Sequence, residues 1–309
     1  MTITQIQYLV AVYRQKSFSA AAKICGVTQP TLSMQIQKLE EELGILIFDR
    51  SKKPMLTTEI GEIIVSQGLE LLAVSKKITD AVLDFKGELA GELRIAIIPT
   101  IAPYLTPFFL PEIVNDPKLS IKIEERKTED IVKSLERDEI DLGILALSNQ
   151  FSGITEIPIY SEKMLVYCSP GHSLLSKKTL EPEDLEGKDI WMLNQGHCWR
   201  NQALKACETL NLTFDKNLSY ESGSLDTLIR MVELHKGYTL IPEMCTYYFN
   251  EDQMENVRYF NKRQPGRTVG IAVKHTFLKQ KLIHHLKNSI INSVPKRLID
   301  NTVQNIDIY

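Results

Sequence analysis

SFSAAAKICGVTQPTLSMQIQKLEEELGILIFDRSKKPMLT, residues 17–57, sets the architecture of the N-terminal part of the chain. Ser19 can cap a short helix through Ala20, Ala21 and Ala22, and Gly26 ends it. Thr28 is the next N-cap, with Pro30 in the first turn, where a missing N–H costs little. Leu32, Ile36, Leu39 and Leu43 then recur at intervals of 4, 3 and 4, which predicts one buried stripe.

Two helices joined by a Gly-containing turn form a helix–turn–helix. The small alanines let the two helices approach closely. The polar face of the second helix offers Gln29, Pro30, Thr31, Ser33 and Gln35, with Lys38 further along. In a major groove, Gln can bond adenine bidentately, and Ser or Thr can reach a phosphate or a thymine methyl. ILIFDRSKKPMLT reads as a β-wing whose Arg50, Lys52 and Lys53 suit phosphates, which position a protein without specifying sequence. A helical hairpin with an ordinary solvated face is the plainer alternative. Cap, turn and basic flank coinciding in one segment favour the DNA-binding reading.

Outward from that segment, the charge is uneven. Residues 1–58 carry seven Lys/Arg and four Asp/Glu, a balance of +3, whereas the whole 309-residue chain is −3. A basic head on an acidic body fits a nucleic-acid module joined to a larger unit. With 43% hydrophobic residues and no apolar run near the ~18 residues of a membrane helix, the chain is expected to be a multi-domain cytoplasmic protein without a membrane partner. MTITQIQYLVAVYRQK lacks the layout of a secretory signal. Five cysteines do not make a structural disulfide framework in such a protein, so any disulfide would be transient.

Thr58 caps the next helix ahead of Glu59. Ile60, Ile64, Gln67, Leu71, Val74, Ile78, Ala81 and Phe85 follow at alternating spacings of four and three, a heptad seam with Gln67 available to set register. Beside a DNA-binding module this predicts a dimerisation helix and two half-sites of a pseudo-palindrome. Gly87 and Gly91 are expected to end the helix as a hinge.

From residue 93 the pattern alternates. LRIAIIP, LSIKIEE and IDLGILAL read as strands, and PYLTPFFLPEIV and TEDIVKSLER as helices. MLVYCS, DIWMLN, a helix near 224–236, GYTLIP, RTVGIAV and a C-terminal helix follow. This is α/β, read as a doubly wound parallel sheet with ligands at the carboxyl ends of strands. The domains are therefore 1–58, a winged helix–turn–helix; 59–88, a coiled-coil linker helix; and 89–309, a two-lobed effector domain. Lobe I takes 89–162 and 267–309, and lobe II takes 163–266.

GHCWRNQALKAC, residues 196–207, places two thiols in a helix-compatible segment. In one continuous helix Cys198 and Cys207 would lie about 13.5 Å apart along the axis and roughly 180° around it. A disulfide needs Cα atoms within about 7 Å, so the bond requires the helix to unwind. Cys198 stands beside His197 and Arg200 at the helix N-terminus, where positive potential favours thiolate. Cys207 sits among Ala203, Leu204 and Ala206. Cys198 would attack peroxide and Cys207 would resolve the sulfenic acid. Taken alone, the pair is more simply read as two buried thiols. Cys25, Cys168 and Cys245 are read as structural. No metal is expected, because His197, Cys198 and Cys207 lack the spacing and ligand number of a zinc site.

AAKICGVTQPTLSMQIQKLEEELGILIFDR resembles the winged helix–turn–helix of LysR-type transcriptional regulators, departing from it at Thr28 for the usual Ser and at Gln37 for a basic residue. GHCWRNQALKAC, IPTIAPYL and RKTEDIV resemble the redox segment and pocket flanks of the peroxide-sensing members of that family, with Trp199 in place of a smaller apolar residue. The resemblance spans almost the whole chain. It implies an effector domain of the two-lobed periplasmic-binding-protein type. It implies that Cys198 is peroxidatic and Cys207 resolving. Thr100, Thr128 and His197 would then hydrogen-bond the peroxide or its water, and Arg267 would support the thiolate.

The expected function is a transcription regulator, not an enzyme and without a cofactor, that switches when hydrogen peroxide closes the Cys198–Cys207 disulfide and the oligomer rearranges on DNA. Its expected partners are double-stranded DNA, its own copies as homodimer or homotetramer, RNA polymerase, and a thiol reductant such as glutaredoxin or thioredoxin. A LysR-type regulator answering a small organic effector in the inter-lobe cleft is the alternative. A thiol peroxidase would have no use for residues 1–87.

Overall fold

The structure, a computed structural model, describes residues 1–52, 54–86, 91–114, 119–148, 150–185, 189–206, 222–261, 264–277, 279–299 and 304–305. The chain forms two compact units, Met1–Glu88 and Leu89–Tyr309. Among the described residues no helix is long and apolar enough to cross a membrane.

In the first unit, α1 (Ile3–Gln15) opens on a capping box in which Thr2 Oγ1 accepts from Gln5 N and Gln5 Oε1 accepts from Thr2 N. The cap of α2 (Phe18–Ile24) is Ser17 and not Ser19: Ser17 Oγ accepts from Ala20 N at 3.3 Å. The capping residue must precede the helix with extended backbone, and Ser19 already lies inside the first turn. Thr28 caps α3 (Gln29–Leu43) through Thr31 N, with Pro30 in the first turn. Leu32, Ile36 and Leu39 are fully buried, whereas Leu43 is 37% exposed. The stripe ends there, where residues 41–44 of the last turn and cap are all exposed.

A wing of two short antiparallel strands follows, β1 (Phe48–Asp49) and β2 (Leu56–Thr57). Next is α4 (Glu59–Lys86), 28 residues that span about 42 Å. Thr58 Oγ1 accepts from Gly61 N and donates to Leu46 O, which fastens the start of α4 to the wing. A Cβ on Gly61 would stand 2.3 Å from Ile47 O, so the helix can only lie this close with glycine there. Val65 packs into the core with Ile6, Leu9 and Val12 of α1. Along the predicted seam Ile64 and Leu71 are half-buried, but Val74, Ile78 and Phe85 are 59%, 68% and 91% exposed. Gly87 lies outside the described residues, and Gly91 opens a strand.

The second unit begins with β3 (Gly91–Ile97), α5 (Ala102–Ile113), β4 (Leu119–Glu125), α6 (Thr128–Glu136) and β5 (Leu142–Ala146). β4, β3 and β5 run parallel in that order. β6 (Ile154–Cys168) is a single 15-residue strand where the sequence suggested only MLVYCS. β7 (Thr179–Leu180), β8 (Ile190–Trp191), α7 (Cys198–Ala206), α8 (Leu225–Leu234) and β9 (Tyr238–Pro242) follow. The chain then runs through α9 (Glu251–Glu255), β10 (Val257–Phe260), β11 (Pro265–Lys274), α10 (Gln280–Ser293), α11 (Lys296–Ile299) and β12 (Gln304–Asn305).

The sheet is mixed rather than wholly parallel. β11 lies antiparallel between β5 and β6, and β6 lies antiparallel to β9 and β10. Two long strands that cross from one βαβ set to the other must meet head to tail, because each carries the chain back where the other came. α5 packs on α10, α6 on β5 and α8 on β9, closing one apolar core. The architecture is α/β.

Candidate functional site

On the first unit, the exposed face of α3 presents Gln29, Pro30, Thr31 and Lys38, with Ser33 and Gln35 half-buried. Lys52 is exposed on the wing, and Lys53 lies outside the described residues. Gln37 is engaged within α3, donating to Glu41 Oε1 at 3.0 Å. Arg50 is exposed but tied down: it donates to Ser33 Oγ at 3.1 Å and to Glu40 Oε2 at 3.0 Å, and its guanidinium stacks 4.6 Å over the Phe18 ring. The residue that sequence reasoning missed is Glu40. Its buried carboxylate accepts from the backbone N–H groups of Ile47 and Phe48 at 2.8 and 3.2 Å, joining α3 to the wing. The signal was an acid placed four residues after Ile36, on the apolar stripe.

In the second unit, Thr100 follows β3 and Thr128 opens α6 after β4, so both lie at the carboxyl ends of adjacent parallel strands. Arg267 of β11 faces Glu162 of β6 as a direct cross-strand pair, each only 1% exposed. Arg267 Nε donates to Glu162 Oε1 at 2.7 Å, Nη1 to Thr100 Oγ1 at 2.9 Å and Nη2 to Thr100 O at 3.0 Å. The remaining carboxylate oxygen of Glu162 accepts from Met244 N at 3.2 Å. Burial pushes the Glu162 carboxyl up, against the pull of Arg267. The guanidinium lies 4.5 Å over the ring of Trp199, the residue next to Cys198.

Cys198 is the first residue of α7, a free thiol with 7% exposure. The helix follows a turn at Gly196, whose φ of +88° suits glycine. Arg200, read from the sequence as a neighbour of the thiol, spends Nη1 on Leu193 O at 2.7 Å. Among the described residues, Lys127 brings a cation to the turn and donates to Gln195 O at 3.3 Å. His197 is buried, and desolvation, seconded by the Lys127 charge, pulls its imidazole below the ordinary 6.5. At neutral pH it is therefore uncharged. Thr128 Oγ1 is fully buried with no hydrogen-bond partner among the described residues, a hydroxyl with bonding capacity to spare.

The structure thus joins Thr100 to Arg267 directly, Arg267 to the Cys198 turn through Trp199, and the Thr128 end of α6 to the His197 turn through Lys127. Lys127 was not legible as part of the site, since a lysine before a helix usually reads as a solvated cap. Cys207 lies outside the described residues. Of the other cysteines, Cys25 ends α2 half-buried, packed against the core of the first unit. Burial pushes the Cys168 thiol up to about 12 and that of Cys245 well above its usual range, which makes both poor nucleophiles.

Two families of sequence match the chain: bacterial regulatory helix-turn-helix proteins of the lysR family over residues 3–62, and the LysR substrate binding domain over residues 86–292. A hydrogen peroxide-inducible genes activator of Haemophilus influenzae is 35% identical over 277 residues, covering 89% of this chain and 91% of the relative. The DNA-binding transcriptional dual regulator OxyR of Escherichia coli is 33% identical over 89% of this chain and 90% of its own. A full-length OxyR variant from Pseudomonas aeruginosa shares the fold with a TM-score of 0.77 at 32% identity, covering 95% of this chain and 99% of that one.

Proposed function

This chain belongs to the LysR family of DNA-binding transcription regulators, and on that premise we propose that it is a peroxide-responsive activator switched by a Cys198–Cys207 disulfide. The observation that carries the reading is the seat of Cys198. It is the buried first residue of α7, one residue from an indole that stacks on the Arg267–Glu162–Thr100 cluster.

The chemistry is two displacements. The Cys198 thiolate attacks one oxygen of hydrogen peroxide, the O–O bond breaks, and hydroxide leaves to take a proton as water. Cys207 sulfur then attacks the sulfenic sulfur and expels the second oxygen as water. A dithiol reductant of the thioredoxin or glutaredoxin class returns two electrons and resets the switch. In this reading Thr100, Thr128 and the neutral His197 hold the peroxide or its water, and Arg267 supplies the buried positive charge. The residues 89–162 with 267–309, and 163–266, act as the two lobes around them.

The switch follows from chain geometry. α7 is intact through Ala206, a rise of about 12 Å from Cys198. One further peptide can return at most about 3.8 Å. The remaining gap of about 8 Å exceeds the ~7 Å limit for disulfide Cα atoms. Closing the bond must therefore unwind part of α7, and an oxidation becomes a change of fold. One event per signal separates this from peroxidase turnover.

On the DNA side, Gln29, Pro30, Thr31, Ser33, Gln35 and Lys38 meet the major groove, and Lys52 and Lys53 meet phosphates. Arg50 orders the wing as well as adding charge. The exposed row Val74, Ile78 and Phe85 of α4 pairs two copies on a pseudo-palindromic site, and RNA polymerase reads the rearranged complex in the cytoplasm. The test is a footprint on promoter DNA, with and without peroxide, for the wild type and for Cys198→Ser. The variant should bind like the reduced wild type and lose every peroxide-dependent change. A footprint that still shifts with peroxide would overturn the assignment.

A further inference from the structure

Trp199 is pinned at both ends of its side chain. Its indole Nε1 donates to Leu240 O at 2.9 Å, and the ring face lies 4.5 Å under the Arg267 guanidinium. The ring is 2% exposed. The acceptor is informative. β8 pairs with β9 only at Ile190↔Tyr238 and Trp191↔Thr239, while β9 continues to Pro242. The Leu240 carbonyl is thus one residue beyond the last rung of that ladder, and the indole N–H is its partner there. Trp199 stands where the next strand residue would stand, and fastens the first turn of α7 to the sheet edge.

The same ring extends the opposite way to β11. Arg267 hydrogen-bonds Glu162 and Thr100 through all three of its guanidinium nitrogens, which fixes its position, and the indole is held against a rigid cation. Elsewhere on α7, Arg200 reaches Leu193 O, Gln202 and Ala203 are buried, and a narrow cleft beside the helix is lined by Leu193, Trp199, Ala203, Leu228 and Leu240. Unwinding the first turn would strand a buried carbonyl and uncover the aromatic face at once.

We infer that Trp199 is a latch on α7, a positioning residue that sets how readily the Cys198 helix opens without taking part in the chemistry. This rests on the disulfide reading for its consequence, since opening α7 is what the bond requires. The latch itself is a property of the reduced protein. Losing the ring and its hydrogen bond should speed local opening about tenfold, and losing the hydrogen bond alone about threefold.

The experiment uses full-length reduced protein: wild type, Trp199→Phe and Trp199→Leu. Amide hydrogen exchange is read for α7 and, as internal reference, for the fully buried β5 strand. The expected result is exchange in α7 faster by about tenfold in Trp199→Leu and by about threefold in Trp199→Phe, with β5 unchanged. Equal α7 exchange in all three, or an equal rise in β5 that marks a merely structural role, would overturn the latch; if Trp199→Leu does not fold, Trp199→Phe decides.

The same proteins are then mixed with peroxide. Sulfenic acid is trapped with a dione probe, and the Cys198–Cys207 disulfide is followed by mass. The latch predicts trapping rates within twofold and faster closure in the order Leu, Phe, Trp. Closure no faster in Trp199→Leu would overturn it. A wild type that forms no disulfide sinks the peroxide reading instead, and the exchange result still judges the latch.

Discussion

Replacing Arg267 by Met tests the ion pair at the heart of the second unit. Both partners are 1% exposed, so solvent screens them little. The substitution removes three hydrogen bonds and leaves the Glu162 carboxylate buried with, among the described residues, the Met244 N–H at 3.2 Å as its remaining charge-stabilising bond. Breaking a buried pair on one side costs roughly 3–5 kcal/mol, much more than a surface pair. The chain has two tryptophans, Trp191 and Trp199, both in the second unit, so tryptophan emission follows that unit's unfolding within the full chain. With a urea slope of about 3 kcal/mol per M, the emission midpoint should fall by about 1 to 1.7 M. Glu162→Gln should also lower it. The double variant should lose clearly less than the sum, because neither charge is then left buried alone. A fall below about 0.3 M for Arg267→Met, or strict additivity in the double variant, would refute the view that the pair acts as a buried unit.

Three further outcomes follow from other parts of the molecule. Glu40→Ala frees two backbone N–H groups and Arg50, and should cost the first unit about 2–4 kcal/mol and weaken operator binding, read by circular dichroism melting and gel shift. Gly61→Ala improves helix propensity by about 0.5–1 kcal/mol yet should lower the melting temperature, because the clash with Ile47 O costs about 1–3 kcal/mol. His197 has a folded pKa below its ordinary 6.5, so the unfolded chain binds the proton more tightly. Its contribution to stability is complete above 6.5 and is lost as pH falls below that value through the folded pKa. Urea midpoints measured from pH 7.5 to 5.5 should fall more in the wild type than in His197→Asn, and parallel curves would show that burial does not hold the imidazole neutral.

The N-terminal module was legible because its signals are local. Thr28, Pro30, Gly26 and the Leu32–Ile36–Leu39 repeat each act within a turn or two of backbone, and such preferences survive any tertiary context that buries the stripe. Where the reading slipped, at Ser19 and Leu43, the question was which of two nearby residues starts or ends a helix. That depends on where the chain arrives from. Most helices and the βαβ strands of the effector unit were legible for the same reason, whereas the first half of β6, and β7, α9 and β10, were not. Legible too was the incompatibility between a helix through 198–206 and a bond from Cys198 to Cys207.

Only the tertiary structure decided who meets whom. No local pattern pairs Arg267 with Glu162, 105 residues apart in the chain. The register of β6 against β11 sets that pair, and it emerges once both strands are buried in one sheet. The antiparallel crossing, the Lys127 ammonium over the His197 turn and the Trp199 bond to Leu240 arise likewise from distant segments closing one core. Sequence fixes the short-range backbone choices, because sterics and capping act over a few residues. Burial couples the rest, because a charge or carbonyl removed from water must find its partner wherever the packed chain supplies one.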